Sequence, residues 1–159
     1  MVSLIRTNSE NEDFRALIVL LDEELHIRDG EEHAFFSQFN KIDQLGLLGV
    51  VVAYLDDVAV GCGAFKLHSD QTAEIKRMFV MTENRGQRIA AQILAELEAW
   101  AVESSFSECV LETGFKQPEA IALYKRSGYG VIPNYGQYAD VTSSVCMKKT
   151  VAANSVPKS

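Results

Sequence analysis

The chain has 159 residues, 47% of them hydrophobic, and 15 Lys and Arg stand against 22 Asp and Glu for a net charge of −7. That is the length of one ordinary domain with a single sizeable core, and a second domain is not expected. No stretch approaches the roughly 20 apolar residues that span a bilayer, and the acidic balance repels phosphate backbones, so neither a membrane nor nucleic acid is the expected partner.

The start, MVSLIRTNSE, has no apolar run like that of a signal peptide, and a cytoplasmic location is expected. Cys62, Cys109 and Cys146 are odd in number, far apart and set in apolar runs rather than CxxC pairs. They read as reduced core residues, with no metal site expected.

In chain order, SLIRT reads as a short strand. From Asn11 to Leu25, Phe14, Leu17, Ile18, Leu21 and Leu25 recur at helical spacing, the pattern of an amphipathic helix. After Asp29-Gly30, EEHAFFSQFN reads as a second short helix carrying Phe35, Phe36 and Phe39. Two strand-like runs, LGLLGVVVAYL and VAVGCGAFKLH, flank Asp56-Asp57 as a tight hairpin, and TAEIKRMFVM follows as a third.

From Gly86 to about Ser104 the period becomes helical, with Ile89, Ile93, Leu94, Leu97, Trp100 and Ala101 on one stripe. ECVLETG is a strand, Pro118 opens a helix that runs through Arg126, and Gly128 closes it. YGVIP and DVTSSVCMKK make the last two strands, which leaves residues 1–150 as one domain and VAANSVPKS as a flexible tail. The helix between TAEIKRMFVM and ECVLETG makes that crossover parallel and right-handed.

The switch from strand to helix at NRGQRIA has a chemical meaning. A helix beginning just after a strand presents unpaired N–H groups at its positive end, where phosphate binds. Gly86 lets a ligand approach the backbone, and Arg85 and Arg88 add cationic donors. The same spacing also fits a plain surface helix start with two solvated arginines. There is no GK[ST] of a Walker loop and no GxGxxG, so a nucleoside triphosphate or NAD gives way to some other diphosphate.

The segment AEIKRMFVMTENRGQRIAAQILAELEAWA resembles the core motif of the GNAT superfamily, in which a strand leads into R-G-x-G-x-G/A and a long helix. Further on, QPEAIALYKRSGY is similar to the family's second signature. The resemblance is strongest from about Val50 to Tyr129. It implies an α/β fold (α+β by some schemes), a mixed, mostly antiparallel sheet of about seven strands with helices on both faces. It also implies acetyl-CoA as co-substrate and a direct acetyl transfer to the primary amine of a small molecule or peptide.

By the same resemblance, Arg85, Gly86, Gln87, Arg88, Ile89 and Ala90 form the loop that binds the CoA pyrophosphate. The main chain of Met78, Phe79 and Val80 pairs with the pantetheine arm like an added strand. Arg88 stands where the family has glycine, which is permissible if its backbone is helical, as a first helical turn would make it. Gln117 takes the place of an asparagine that contacts pantetheine, and Arg126 or Lys125 meets a CoA phosphate or merely neutralises a helix end.

Tyr124 matches the family's general acid, which protonates the departing thiolate, and the Val80 N–H is the expected donor to the thioester carbonyl. Glu74 matches the general base of some members. Glu112 or simple proton loss to solvent are the alternatives, and an exposed strand carboxylate is the plain reading of Glu74. The aromatics Phe35, Phe36 and Phe39, with Tyr135 and Tyr138, come from the parts that shape the acceptor groove in the family, while His26, His33 and His68 lie outside both signatures. The overall acidity favours a cationic acceptor. Dimers are common among proteins of this kind, though no residue here establishes one. The alternative to an enzyme is a CoA-binding sensor or docking module without turnover, or a scaffold that binds no CoA.

Overall fold

The computed structural model describes residues 1–29, 46–115 and 117–152. The first strand, β1 (Val2–Thr7), leads into α1 (Glu12–Asp29), which begins where the Asn11 side chain accepts the Phe14 N–H at 2.8 Å and Glu12 and Asp13 load the positive helix end with acid. Phe14, Leu17, Ile18 and Leu21 are its buried stripe. The helix expected at EEHAFFSQFN lies outside the described residues, as do residues 153–159.

The strands β2 (Leu47–Leu55) and β3 (Val58–Ser69) form the expected hairpin, with Asp56 at φ 52 and Asp57 at φ 69. Two left-handed residues in succession match the twist of the paired strands. After β4 (Thr72–Val80) come α2 (Ile89–Glu103), β5 (Glu108–Gly114), α3 (Pro118–Arg126), β6 (Gly130–Ile132) and β7 (Ser144–Thr150). The seven strands make one sheet in the order β1-β2-β3-β4-β5-β7-β6, antiparallel except for the parallel β4–β5 pair that the α2 crossover requires. This is the mixed, mostly antiparallel sheet that the resemblance implied.

Helices cover both faces. Val51, Ala53, Phe65, Ala73, Ile75 and Leu111 pack with Ile93, Leu94 and Leu97 of α2, while Val50, Val52, Cys62, Ala64 and Phe79 pack with α1. The strand period of two sends alternate residues to the two layers, so central strands buried on both sides read as unbroken apolar runs. At Gly63 a Cβ would sit 2.6 Å from the Met78 sulfur and 2.8 Å from Leu97, so glycine is what lets α2 approach β3.

One irregularity matters for everything that follows. The β3–β4 register slips between Cys62 and Ala64, opposite Arg77, whose φ is 61. Before this bulge Ala73 and Ile75 face α2; after it Met78 and Val80 do, and Phe79 faces α1. The parity of the strand therefore changes by one, as an extra residue in one strand demands. Arg77 is turned to the α1 side, where its Nη1 stands 3.5 Å from Asp22.

Helix α1 runs on to Asp29, four residues past Leu25, and two further boundaries differ from the expected ones. Helix α2 starts at Ile89, not Gly86, because Arg88 has φ 66 and ψ 18, and a left-handed residue cannot continue a right-handed helix. Strand β7 starts at Ser144 rather than Asp140. The Asn134 side-chain amide donates to the carbonyls of Val141 (3.0 Å) and Ser144 (3.1 Å) and holds that stretch as a turn. At the other end, the N–H groups of Val151 and Ala152 both donate to the Ser107 carbonyl. No helix among the described residues is long and apolar enough to cross a membrane.

Candidate active site

The parallel pair β4–β5 is short. It runs from Thr72 with Glu108 to Ile75 with Leu111, and beyond Ile75 the bulge carries β4 away from β5. Into this gap opens a cavity lined by Lys76, Arg77 and Met78 of β4, Glu112, Thr113 and Gly114 of β5, and Gln117, Ala120 and Tyr124 of α3. Leu21 and Leu25 of α1 and Tyr138 close it.

The end of β4 leaves a donor directed at the gap. Met81 donates to the Val60 carbonyl at 2.8 Å, which makes Gly61 and Val80 a non-hydrogen-bonded pair. In such a pair both backbone groups turn outward, so the Val80 N–H points away from β3, toward the β5 side. The Val80 carbonyl on that side is held by the Arg85 Nε at 2.8 Å. The same guanidinium bonds Glu24 of α1 at 2.7 Å and lies 5.6 Å from the Phe79 ring centroid. Arg85 thus clamps the strand end and α1 to the loop that follows.

The backbone of that loop is open to a ligand. Gly86 has φ +84 and a Cβ there would meet nothing within 4 Å, so its surface is open. Arg88 is also left-handed, so two of the four residues from Arg85 to Arg88 have positive φ and the chain turns sharply there. Helix α2 then starts with no side-chain cap and no acidic residue in its first turn, so its positive end is left for a ligand. The expected helical backbone at Arg88 is thus corrected: it keeps the left-handed conformation that favours glycine, at a strain of roughly 1–2 kcal/mol, and its side chain is exposed. Gln87 is exposed too, Ile89 is buried in the α2 core, and Ala90 packs against that core. An uncapped helix end, an open glycine and an outward N–H one strand-end away fit a diphosphate linked to an amide-bearing arm.

Tyr124 sits on α3 with 6% of its surface exposed and lines the cavity. Burial, and then the negative field of Glu112, push its hydroxyl well above the ordinary tyrosine range. It therefore holds its proton at neutral pH. Gln117, just before Pro118, lines the same cavity; Lys125 and Arg126 in the last turn of α3 are exposed and outside it.

Glu74 is 5% exposed, not the exposed strand carboxylate of the plain reading. It stands one step behind the cavity wall: the Tyr135 hydroxyl donates to its Oε2 at 2.9 Å, and Lys76 Nζ is 3.8 Å from the same oxygen. Lys76 in turn donates to the Tyr138 hydroxyl at 2.9 Å. Burial first, and then the Glu74 charge, raise the Tyr135 hydroxyl, while burial pushes Tyr138 up to about 12 against the lowering influence of Lys76. His68 meets the Tyr135 ring edge-on at 4.7 Å. Glu112 accepts from the Ser144 hydroxyl at 2.7 Å. The buried pair Lys76 and Arg77 was missed by sequence reasoning, since only the bulge brings both to one wall.

Known proteins share this fold. Residues 11–129 match the model of the acetyltransferase (GNAT) family. A stretch of 100 residues is 35% identical to an IAA acetyltransferase of Azospirillum brasilense; it covers 62% of this chain and 65%, less than two thirds, of that relative. Over the whole fold, the chain is similar to a Klebsiella pneumoniae crystal structure described as an acyl-CoA N-acyltransferase, with TM-score 0.79 and 30% identity over 95% of this chain and 98% of that one. It also has the fold of the PaiA N-acetyltransferase of Thermoplasma acidophilum, solved with coenzyme A, with TM-score 0.69 and 19% identity over 94% and 99% of the two chains. With the family model spanning both the open loop and the helix that bears Tyr124, this chain belongs to the GNAT acetyltransferase family.

Proposed function

We propose that the protein moves an acetyl group from acetyl-CoA to a primary amine of a small molecule or peptide, by direct attack while both are bound. The observation that carries this reading is the gap between β4 and β5, with the Val80 N–H aimed toward it and the buried Tyr124 on its wall. The backbone of Arg85–Ala90 takes the pyrophosphate, and the freed main chain of Met78–Val80 takes the pantetheine amides as a further strand would.

Acetyl-CoA supplies the activated thioester. The Val80 N–H stabilises negative charge on the carbonyl oxygen. The amine nitrogen forms the new C–N bond as the C–S bond breaks; Glu74 takes the amine's proton, directly or through water, and Tyr124 gives its own to the leaving sulfur. The products are the amide and free CoA thiol. Glu74 suits the role because Tyr135 fixes its carboxylate. Gln117 and Arg126 are further candidate CoA contacts, at the start and the end of α3. The free cysteines Cys62, Cys109 and Cys146 support a reducing, cytoplasmic setting.

Calorimetry with acetyl-CoA and a thiol-release assay over an amine panel test the reading. Binding with turnover is the expected result. Binding without turnover on any amine would instead establish a CoA-binding module, and absence of binding would reject both.

A further inference from the structure

We propose that the acceptor amine also carries a carboxylate, as an α-amino acid does, and that Lys76 with the Tyr138 hydroxyl selects for it. The inference rests on the acetyl-transfer reading of the same cleft and names its second substrate by chemistry.

Lys76 and Arg77 are 8% and 6% exposed, and both line the cavity in which Tyr124 stands. Strict alternation would have sent Arg77 to the face of Ile75 and into the α2 core. The bulge puts two adjacent cations on the cavity wall instead, with Asp22 3.5 Å from Arg77, Glu74 3.8 Å from Lys76, and Glu112 on the opposite lining. Of the three carboxylates around these two cations only Glu112 lines the cavity, while Asp22 and Glu74 are not among its lining residues. In a site this buried a charge acts through a low dielectric and is felt far more strongly than at the surface. A ligand carboxylate that reaches this lining meets a charge-assisted donor in Lys76.

The arrangement also fits the shape of such a ligand. Lys76 Nζ, bonded to the Tyr138 hydroxyl at 2.9 Å, stands 3.8 Å from the Glu74 carboxylate, itself fixed by Tyr135. Cationic donor and anionic acceptor follow each other two residues apart along one face of β4. An α-amino acid carries the complementary order, a carboxylate and an ammonium separated by one carbon. With the carboxylate on Lys76 and Tyr138, the ammonium falls toward Glu74, the group proposed to take its proton.

The test compares an α-amino acid that is turned over with its carboxamide and its decarboxylated amine, by initial rates at saturating acetyl-CoA. For the unmodified protein kcat/KM for the acid should exceed both others by at least about tenfold. In Lys76→Met that ratio should fall below about threefold, mainly through KM for the acid. Tyr138→Phe, which keeps the ring, should lower the same ratio by a smaller factor, and it carries the test if Lys76→Met does not fold by thermal melting. Carboxamides or diamines used as well as acids by the unmodified protein would overturn the proposal. So would a Lys76→Met variant that slows acid and amide equally, since Lys76 would then serve the reaction and not the choice of acceptor. Should acetyl-CoA bind without turnover, the acid-to-amide ratio is read as binding to the CoA-loaded protein by calorimetry, and equal affinities overturn it. No acetyl-CoA binding at all would remove the underlying reading and this one with it.

Discussion

The loop after β4 and the cleft beside it are built from different material. From Arg85 to Ala90 the groups proposed to work are backbone N–H donors, the side chains of Gln87 and Arg88 are exposed, and the space over Gly86 is open. In the cleft the working groups are buried side chains held by one another: Tyr135 on Glu74, Tyr138 on Lys76, Ser144 on Glu112. A backbone site depends on conformation and tolerates a change of side chain. A side-chain site depends on each group and on the charge around it.

The sharpest way to break this contrast is at Gly86. Proline fixes φ near −65° and removes a donor, whereas Gly86 has φ +84. Gly86→Pro should weaken acetyl-CoA binding by at least about 100-fold, a loss of roughly 3 kcal/mol, measured by calorimetry. Near-normal affinity would show that the loop does not cradle the cofactor.

In the cleft the corresponding change is Tyr124→Phe, which deletes one oxygen and leaves the packing. It should lower kcat by about 100-fold with the acetyl-CoA affinity within a few-fold. Unchanged kcat would take the acid role from Tyr124. The pH profile sharpens the same point. Because burial raises the Tyr124 pKa, the protonated form persists above the ordinary tyrosine value, so kcat should not decline on the alkaline side below pH about 10. A descending limb at pH 8 would assign the acid to another group.

Arg85 lies between the two regions. Arg85→Ala removes the bonds to Val80 and Glu24 and should lower Tm by about 2–4 °C, with kcat reduced more than acetyl-CoA affinity because the Val80 end of β4 is loosened. A variant that loses only cofactor affinity would make Arg85 a phosphate ligand.

The smallest effect is expected at Arg88. Arg88→Gly relieves a left-handed side-chain residue and should leave acetyl-CoA affinity within threefold while adding roughly 1 kcal/mol of stability in urea unfolding. A tenfold loss of affinity would mean that the guanidinium itself reaches the phosphates.

The same contrast explains what could be read from the amino acids alone. Apolar periodicity marked α1, α2 and the strands, and the Asp56-Asp57 hairpin and the Pro118 helix start announced themselves through turn and cap chemistry. The start of α2 was placed three residues early, since nothing in the side-chain pattern of Arg88 reveals a positive φ. The bulge at Arg77 was equally silent: without a glycine to mark it, EIKRMFV reads as one uninterrupted strand. Lys76 and Arg77 consequently went unnoticed as a pair. Tyr124 and Glu74 were singled out from their signatures, but Tyr135, which donates to Glu74, lies 61 positions away in the chain, beyond the reach of local spacing.

The change of parity in β4 has a further consequence for how this protein is held together. A sheet that parts at Ile75 is an unfinished fabric, and in the proposed complex the cofactor would supply its missing thread. The amide proton of Val80 should therefore exchange with deuterium readily in the free protein and slowly once acetyl-CoA is added, while those of Thr72 to Ile75 stay slow throughout. Excising Arg77 would close the seam, restore an even pleat, and leave a sturdier sheet with nowhere for a thioester to lie.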